Sequence, residues 1–186
     1  MKYVGADGVA AFTILGFVVY GYSMVCIGFG QGISPIVSIC WGAKEKETAI
    51  KIRSITNRIL LAIGTLTALS FFVAGKRYAE IFGCSNSIAD MVATGFRIYA
   101  ITFLVMGYDV TGSMYFTSCG DAKSSAIISS LRGIVLLLAF ILIFPAIFGM
   151  NGVWMASPFA ETLTSIVTFV LIRRQVRKNK EEENAR

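Results

Sequence analysis

Histidine is absent from the 186 residues. That excludes His-dependent triads, HExxH zinc sites and imidazole general bases. The four cysteines show no CxxC spacing, so no zinc or dithiol redox motif is expected. Cys26 and Cys40 stand roughly 21 Å apart along one predicted helix, too far to be bridged. Cys84 and Cys119 fall on opposite sides of a predicted membrane, so no intrachain disulfide is expected. Charge is scarce, at 15% of residues, where a soluble domain carries about 25%. No short apolar stretch is followed by a small-residue cleavage site, so no removable signal peptide is expected. With these groups missing, the chain is not expected to be an enzyme, and no cofactor or metal is expected.

Apolar residues make up 55% of the chain, and its mean hydropathy is +0.70. They lie in five blocks, at about 9–41, 52–74, 91–117, 124–148 and 152–172. The first holds no charged residue and makes a helix of about 50 Å. One span needs about 20 residues, so this block predicts one long or tilted helix. The later blocks carry isolated charges: Arg53 and Arg58, then Arg97 and Asp109, then Arg132, then Glu161. The predicted loops are 42–47, 75–90, 119–123 and 149–152, and 176–186 is a charged tail. The pattern predicts an all-α polytopic membrane bundle of about five spans, with membrane lipid as its surroundings.

The formal charge is +6. In a soluble protein this would suggest nucleic acid. Here the basic residues sit between apolar blocks, and no nucleic-acid partner is expected. Placing the N-terminus outside puts Lys44, Lys46, Lys51, Arg53, Lys123 and the basic residues from Arg173 onward inside. Only Lys2, Lys76 and Arg77 then lie outside. The positive-inside rule therefore predicts a multi-pass cell-membrane protein with a cytoplasmic C-terminus. A chain that starts outside, after only a few residues, is expected to be part of something longer.

Three stretches carry a resemblance. GFGQGISPIVSICWGAKEKE covers residues 28–47, and within it Gln31-x-x-x-Pro35-Ile36 leads to Trp41-Gly42-Ala43-Lys44. DVTGSMYFTSCGDAKSSA covers 109–126, and FGMNGVW covers 148–154. In this order and spacing they resemble the C-terminal lobe of the multidrug and toxic compound extrusion (MATE) family, over 1–175. The resemblance implies twelve helices in two lobes, with substrate crossing between them. This chain would supply the last five helices, and an N-terminal lobe would come from the same longer chain or a separate one. It implies cation-coupled efflux, by proton or sodium ion, of lipophilic, often cationic drug-like compounds. It also places Asp109 near a position where some members carry a cation-linked carboxylate.

A carboxylate inside a span is costly and faces a bundle interior or a water cavity. Asp109 is therefore the cation-coupling candidate. The alternative is a structural pairing with Arg97 or Arg132. Glu161, Gln31, Tyr108 and Tyr115 are candidates for the substrate route or cavity, and Arg132 reads as a pairing or anchoring residue. Gly28 and Gly32 form a GxxxG pattern that permits close helix packing. Pro35, Pro145 and Pro158 are expected to bend or shape their helices. Two other readings stay open: a flippase of the same superfamily carrying a lipid-linked saccharide, and a non-transporting membrane subunit or truncated remnant.

Overall fold

The computed structural model describes residues 5–81 and 86–184. Six α-helical segments follow in order: α1 (Gly5–Gly42), α2 (Lys46–Ile81), α3 (Asn86–Ser118), α4 (Ala122–Ser130), α5 (Leu136–Phe148) and α6 (Met150–Asn184). One turn of π-helix, Leu131–Val135, joins α4 to α5. No strand occurs among the described residues. Among the described residues five helices are long and apolar enough to cross a membrane, with α4, the π-turn and α5 forming the fourth. Lipid offers backbone groups no partner, so spans of this kind must satisfy their hydrogen bonds internally.

The third helix is the centre of the bundle and packs against α1, α2 and α6. Its inward residues Phe96, Tyr99, Phe103, Met106 and Val110 build the main core with Leu15, Tyr22 and Cys26 of α1 and Leu60 and Phe71 of α2. Phe71 stacks on Phe96 with ring centroids 4.2 Å apart. The Tyr22 hydroxyl lies 2.8 Å from the carbonyl oxygen of Phe103 and 3.2 Å from that of Leu60, tying three helices at one point. Gly64 makes that node possible, because a Cβ there would run into the Phe103 carbonyl. The tight turn from α5 into α6 uses Gly149, which adopts φ 59°, a region that favours glycine.

Four features differ from the sequence expectation. The second helix continues through Lys76 and Arg77 to Ile81, shortening the predicted 75–90 loop. It bends at Ala74 (φ −116°, ψ 17°), just before Gly75 packs on Ala93. The fifth span does not stop at residue 172; α6 carries the predicted charged tail as helix to Asn184. Charged residues are good helix formers in water, so leaving the apolar zone does not end a helix. The fourth span is interrupted by the π-turn. Finally, Gly28 and Gly32 are exposed, and a Cβ at either would meet nothing. Close approaches fall instead at Gly30, where α1 meets Met114 of α3, at Gly64 and Gly107, where α2 meets α3, and at Gly95 and Gly112, where α3 meets α6. Pro35, Pro145 and Pro158 all lie inside helices, and of the three only Pro158 is buried.

Candidate functional site

Asp109 is completely buried where α3 crosses α6. Residues 161, 165 and 168 of α6 fall on one helical face, since positions three and four apart are neighbours. That face meets Asp109. Ser165 donates a hydrogen bond to Oδ2 at 2.8 Å, and the Thr168 hydroxyl lies 2.9 Å from Oδ1. The helices come this close because Gly112, one turn along from Asp109, lies against the Thr168 methyl group. The carboxylate lies roughly 14 Å of helix away from the end of α3 at Ser118.

Glu161 is the second buried acid, with 6% exposure. Its Oε1 accepts a hydrogen bond from Arg132 Nε at 2.7 Å, an ion pair partly open on the arginine side. Its Oε2 is buried and meets no hydrogen-bond donor among the described residues, and the Glu161 carboxyl lies within interaction reach of Asp109. Arg132 occupies the π-turn. Such turns insert an extra residue into a helix and re-aim the side chains around it. The site is thus a chain of three groups: a guanidinium, a carboxylate held on one oxygen, and a second carboxylate held by two hydroxyls. Cys26 of α1 and Tyr99 of α3 lie within electrostatic reach of Glu161.

The structure therefore brings Asp109 and Glu161 together. It ties Arg132 to Glu161 rather than leaving it as an anchor at the membrane face. The alternative pairing of Asp109 with Arg97 does not occur, because Arg97 is exposed and lies over the Phe72 ring. Tyr108 and Tyr115 belong elsewhere. Arg53 lies over both rings, at 5.7 and 5.3 Å from their centroids. Tyr115 is only 1% exposed and packs with Val37 and Ala49, so it is enclosed rather than lining an open route. Gln31 is exposed in a separate cleft of about 620 Å³, lined by hydroxyls of α1, α3 and α4 such as Ser34, Ser38, Ser113 and Ser129. None of Asp109, Glu161 or Arg132 borders it. The hydroxyls of Ser165 and Thr168 are the members of this cluster that sequence reasoning misses. Their only signal is the spacing from Glu161.

Outside the spans, the Asp121 carboxylate caps α4, accepting from the Ser124 N–H at 3.1 Å and the Ser124 hydroxyl at 2.7 Å. Those bonds hold its pKa below the usual carboxylate value. Burial pushes the Cys119 thiol up to about 11.

Residues 1–143 match the MatE family. The chain is 26% identical to the probable multidrug resistance protein YoeA of Bacillus subtilis, over 96% of this chain and 39% of that protein. It is 19% identical to the multidrug export protein MepA of Staphylococcus aureus, over 92% of this chain and 38% of that protein. Among solved structures, a point mutant of a MATE protein superposes with a TM-score of 0.80 at 20% identity, covering 89% of this chain and 37% of that one. A MOP superfamily transporter from Pyrococcus furiosus gives 0.79 at 21% identity, covering 96% and 40%. The chain thus spans about two fifths of the length of the relatives it matches.

Proposed function

The chain belongs to the MatE family, and from that membership we propose that it forms the C-terminal part of a cation-coupled efflux antiporter for lipophilic, often cationic compounds. An N-terminal lobe, in the same longer chain or a separate one, completes the transporter. The N-terminus lies outside and the C-terminus in the cytoplasm. The observation that carries the reading is the buried pair Asp109 and Glu161 inside the spans. Two adjacent acids away from water favour uptake of a cation, and a carboxylate there is expensive unless it has a task. Asp109 is the coupling residue, and the coupling ion is a proton or sodium ion. Substrate and ion compete for, or successively use, the same negative charge.

A lipid-linked saccharide is the weaker cargo. Its pyrophosphate needs converging basic groups. Arg58 and Arg97 are exposed on different helices, and Arg132 is engaged by Glu161.

The test is ion-gradient-driven drug transport in proteoliposomes by a complete transporter containing this lobe. Asp109→Asn keeps size and hydrogen bonding but cannot carry the charge. Transport by the variant is expected to fall at least tenfold at matched insertion. Unchanged transport with an unchanged pH profile rejects the coupling role.

A further inference from the structure

Arg53 of α2 is the only buried basic residue among the described residues, with 8% exposure. A guanidinium keeps its charge in any surroundings, and a buried charge is costly unless paired. No described carboxylate lies within ion-pair distance of it. Its compensation comes from the rings of Tyr108 and Tyr115, 5.7 and 5.3 Å from Cζ. Ring faces attract the charge but are poor acceptors for the N–H groups. Nε and Nη1 are both buried and meet no acceptor among the described residues. The shortfall is local. Five of the seven buried side-chain N and O atoms without a partner among the described residues lie at this end of the bundle: the two on Arg53, Tyr115 Oη, Gln175 Oε1 and Asn179 Nδ2. The Cys119 thiol is within reach of Tyr115, Gln175 and Arg53, and Asn179 Oδ1 lies 3.2 Å from Lys46 Nζ. The exposed Arg173 of α6 is also within electrostatic reach of Tyr108. Tyr108 thus has two guanidiniums near it, one buried and one exposed.

Buried polar atoms are normally paired, so unmet ones gathered round an unpaired positive charge point to an anion that completes them. The position narrows which anion. Arg53 lies seven residues into α2 from Lys46, roughly 10 Å of helix. Arg173 is the first charged residue past the apolar part of α6. This is the level where an apolar span meets the head-group layer, and basic pockets between helices at that level suit lipid phosphates. We propose that Arg53, Arg173 and the Tyr108 hydroxyl form a site for a phosphate-type oxyanion, supplied by the head group of an anionic phospholipid or by free phosphate. A phosphate carries several oxygens on one centre, so it accepts from both guanidiniums and the hydroxyl together. Arg173 gives the exposed approach. Arg53 supplies the buried charge, its stem in the apolar layer and its head towards the polar one. The inference needs the chain to span a membrane and uses neither Asp109 nor the efflux reading.

The experiment is native mass spectrometry of the purified full chain, titrated with phosphatidylglycerol, with diacylglycerol of the same acyl chains, and with inorganic phosphate. The wild type is expected to hold a first phosphatidylglycerol more tightly than any later one, and to hold no diacylglycerol there. Arg53→Gln should weaken that first step about tenfold or more, as expected for loss of a buried charged hydrogen bond. Arg173→Gln should weaken it about threefold, as for an exposed charge. Lys76→Gln, at the far end of α2 and paired on the surface with Asp90, should change nothing. Inorganic phosphate that displaces the lipid, with the same loss in Arg53→Gln, identifies free phosphate as the source. Lipid binding that excess phosphate leaves intact identifies the head group. If Arg53→Gln does not fold, Arg173→Gln and Tyr108→Phe carry the test, since one is a surface change and the other keeps the ring. Folded variants that hold phosphatidylglycerol and phosphate as the wild type does overturn the proposal. So does a wild type that binds neither, or that binds diacylglycerol equally well. None of these results bears on Asp109, and loss of transport in an Asp109 variant leaves this site standing.

Discussion

Asp109 is kept in the bundle by two hydroxyls, and each can be removed with little change of shape. Thr168→Val deletes the hydroxyl that lies 2.9 Å from both Asp109 Oδ1 and the Thr164 carbonyl oxygen and should cost about 1–3 kcal/mol, the usual penalty for orphaning a buried polar group. Thermal melts in detergent would measure it. The cost should shrink in an Asp109→Asn background, because the acceptor is then uncharged. The same logic applies at the surface to Asp121. Its carboxylate is stabilised as the anion by Ser124, so its folded pKa lies below the unfolded value of about 3.9. The stabilisation is then present above that unfolded value and is lost as pH falls through the folded pKa. Asp121→Ala is expected to cost about 1 kcal/mol at pH 7, and the difference from wild type should shrink as pH falls below that unfolded value. A constant gap between the two melting curves across that range would contradict the cap as its source.

At the level of elements, the π-turn and the glycine contacts decide the arrangement. Deleting Gly133 should convert the π-turn to regular helix and rotate Arg132 away from Glu161. The deletion and Arg132→Gln should then destabilise by similar amounts, and the double variant should be barely worse than either, because they break one interaction. Full additivity would show that the turn does something else. Gly64→Val should cost about 1–3 kcal/mol by overpacking against the Phe103 carbonyl. The helices themselves are legible in the sequence, because apolar blocks as long as a membrane is wide admit little besides spans. Their ends are not, because Lys76, Arg77 and the basic run from Arg173 are as comfortable in a hydrated helix as in a loop. Gly28 and Gly32 mislead for a related reason. Spacing shows that a face permits close approach but not whether anything covers it. Asp109 stands out because it is the only acid in its apolar block. Ser165 and Thr168 look like any hydroxyls in an apolar helix until α3 is laid against them, 56 and 59 residues away in sequence.

For the molecule as a whole, orientation can be read through one thiol. Cys119 should react with a membrane-impermeant maleimide from the cytoplasmic side only. Its half-buried thiol is pushed up to about 11, so its labelling rate should still rise about tenfold per pH unit between 8 and 10, where an ordinary thiol near 8.5 levels off. Labelling from outside would invert the topology. The fourth span adds a consequence of another kind. No residue of α5 is buried, although it presses Phe140 and Phe144 against Phe159 of α6. Its outward face is apolar and exposed. In a saturation-mutagenesis screen its outward positions, Leu138, Leu142 and Ile147, should accept any large aliphatic or aromatic side chain without loss. The same screen should find Phe103, Leu60 and Gly64 closed to nearly every replacement. That outcome would mean that this span is constrained by its length and hydropathy and not by the identity of each side chain.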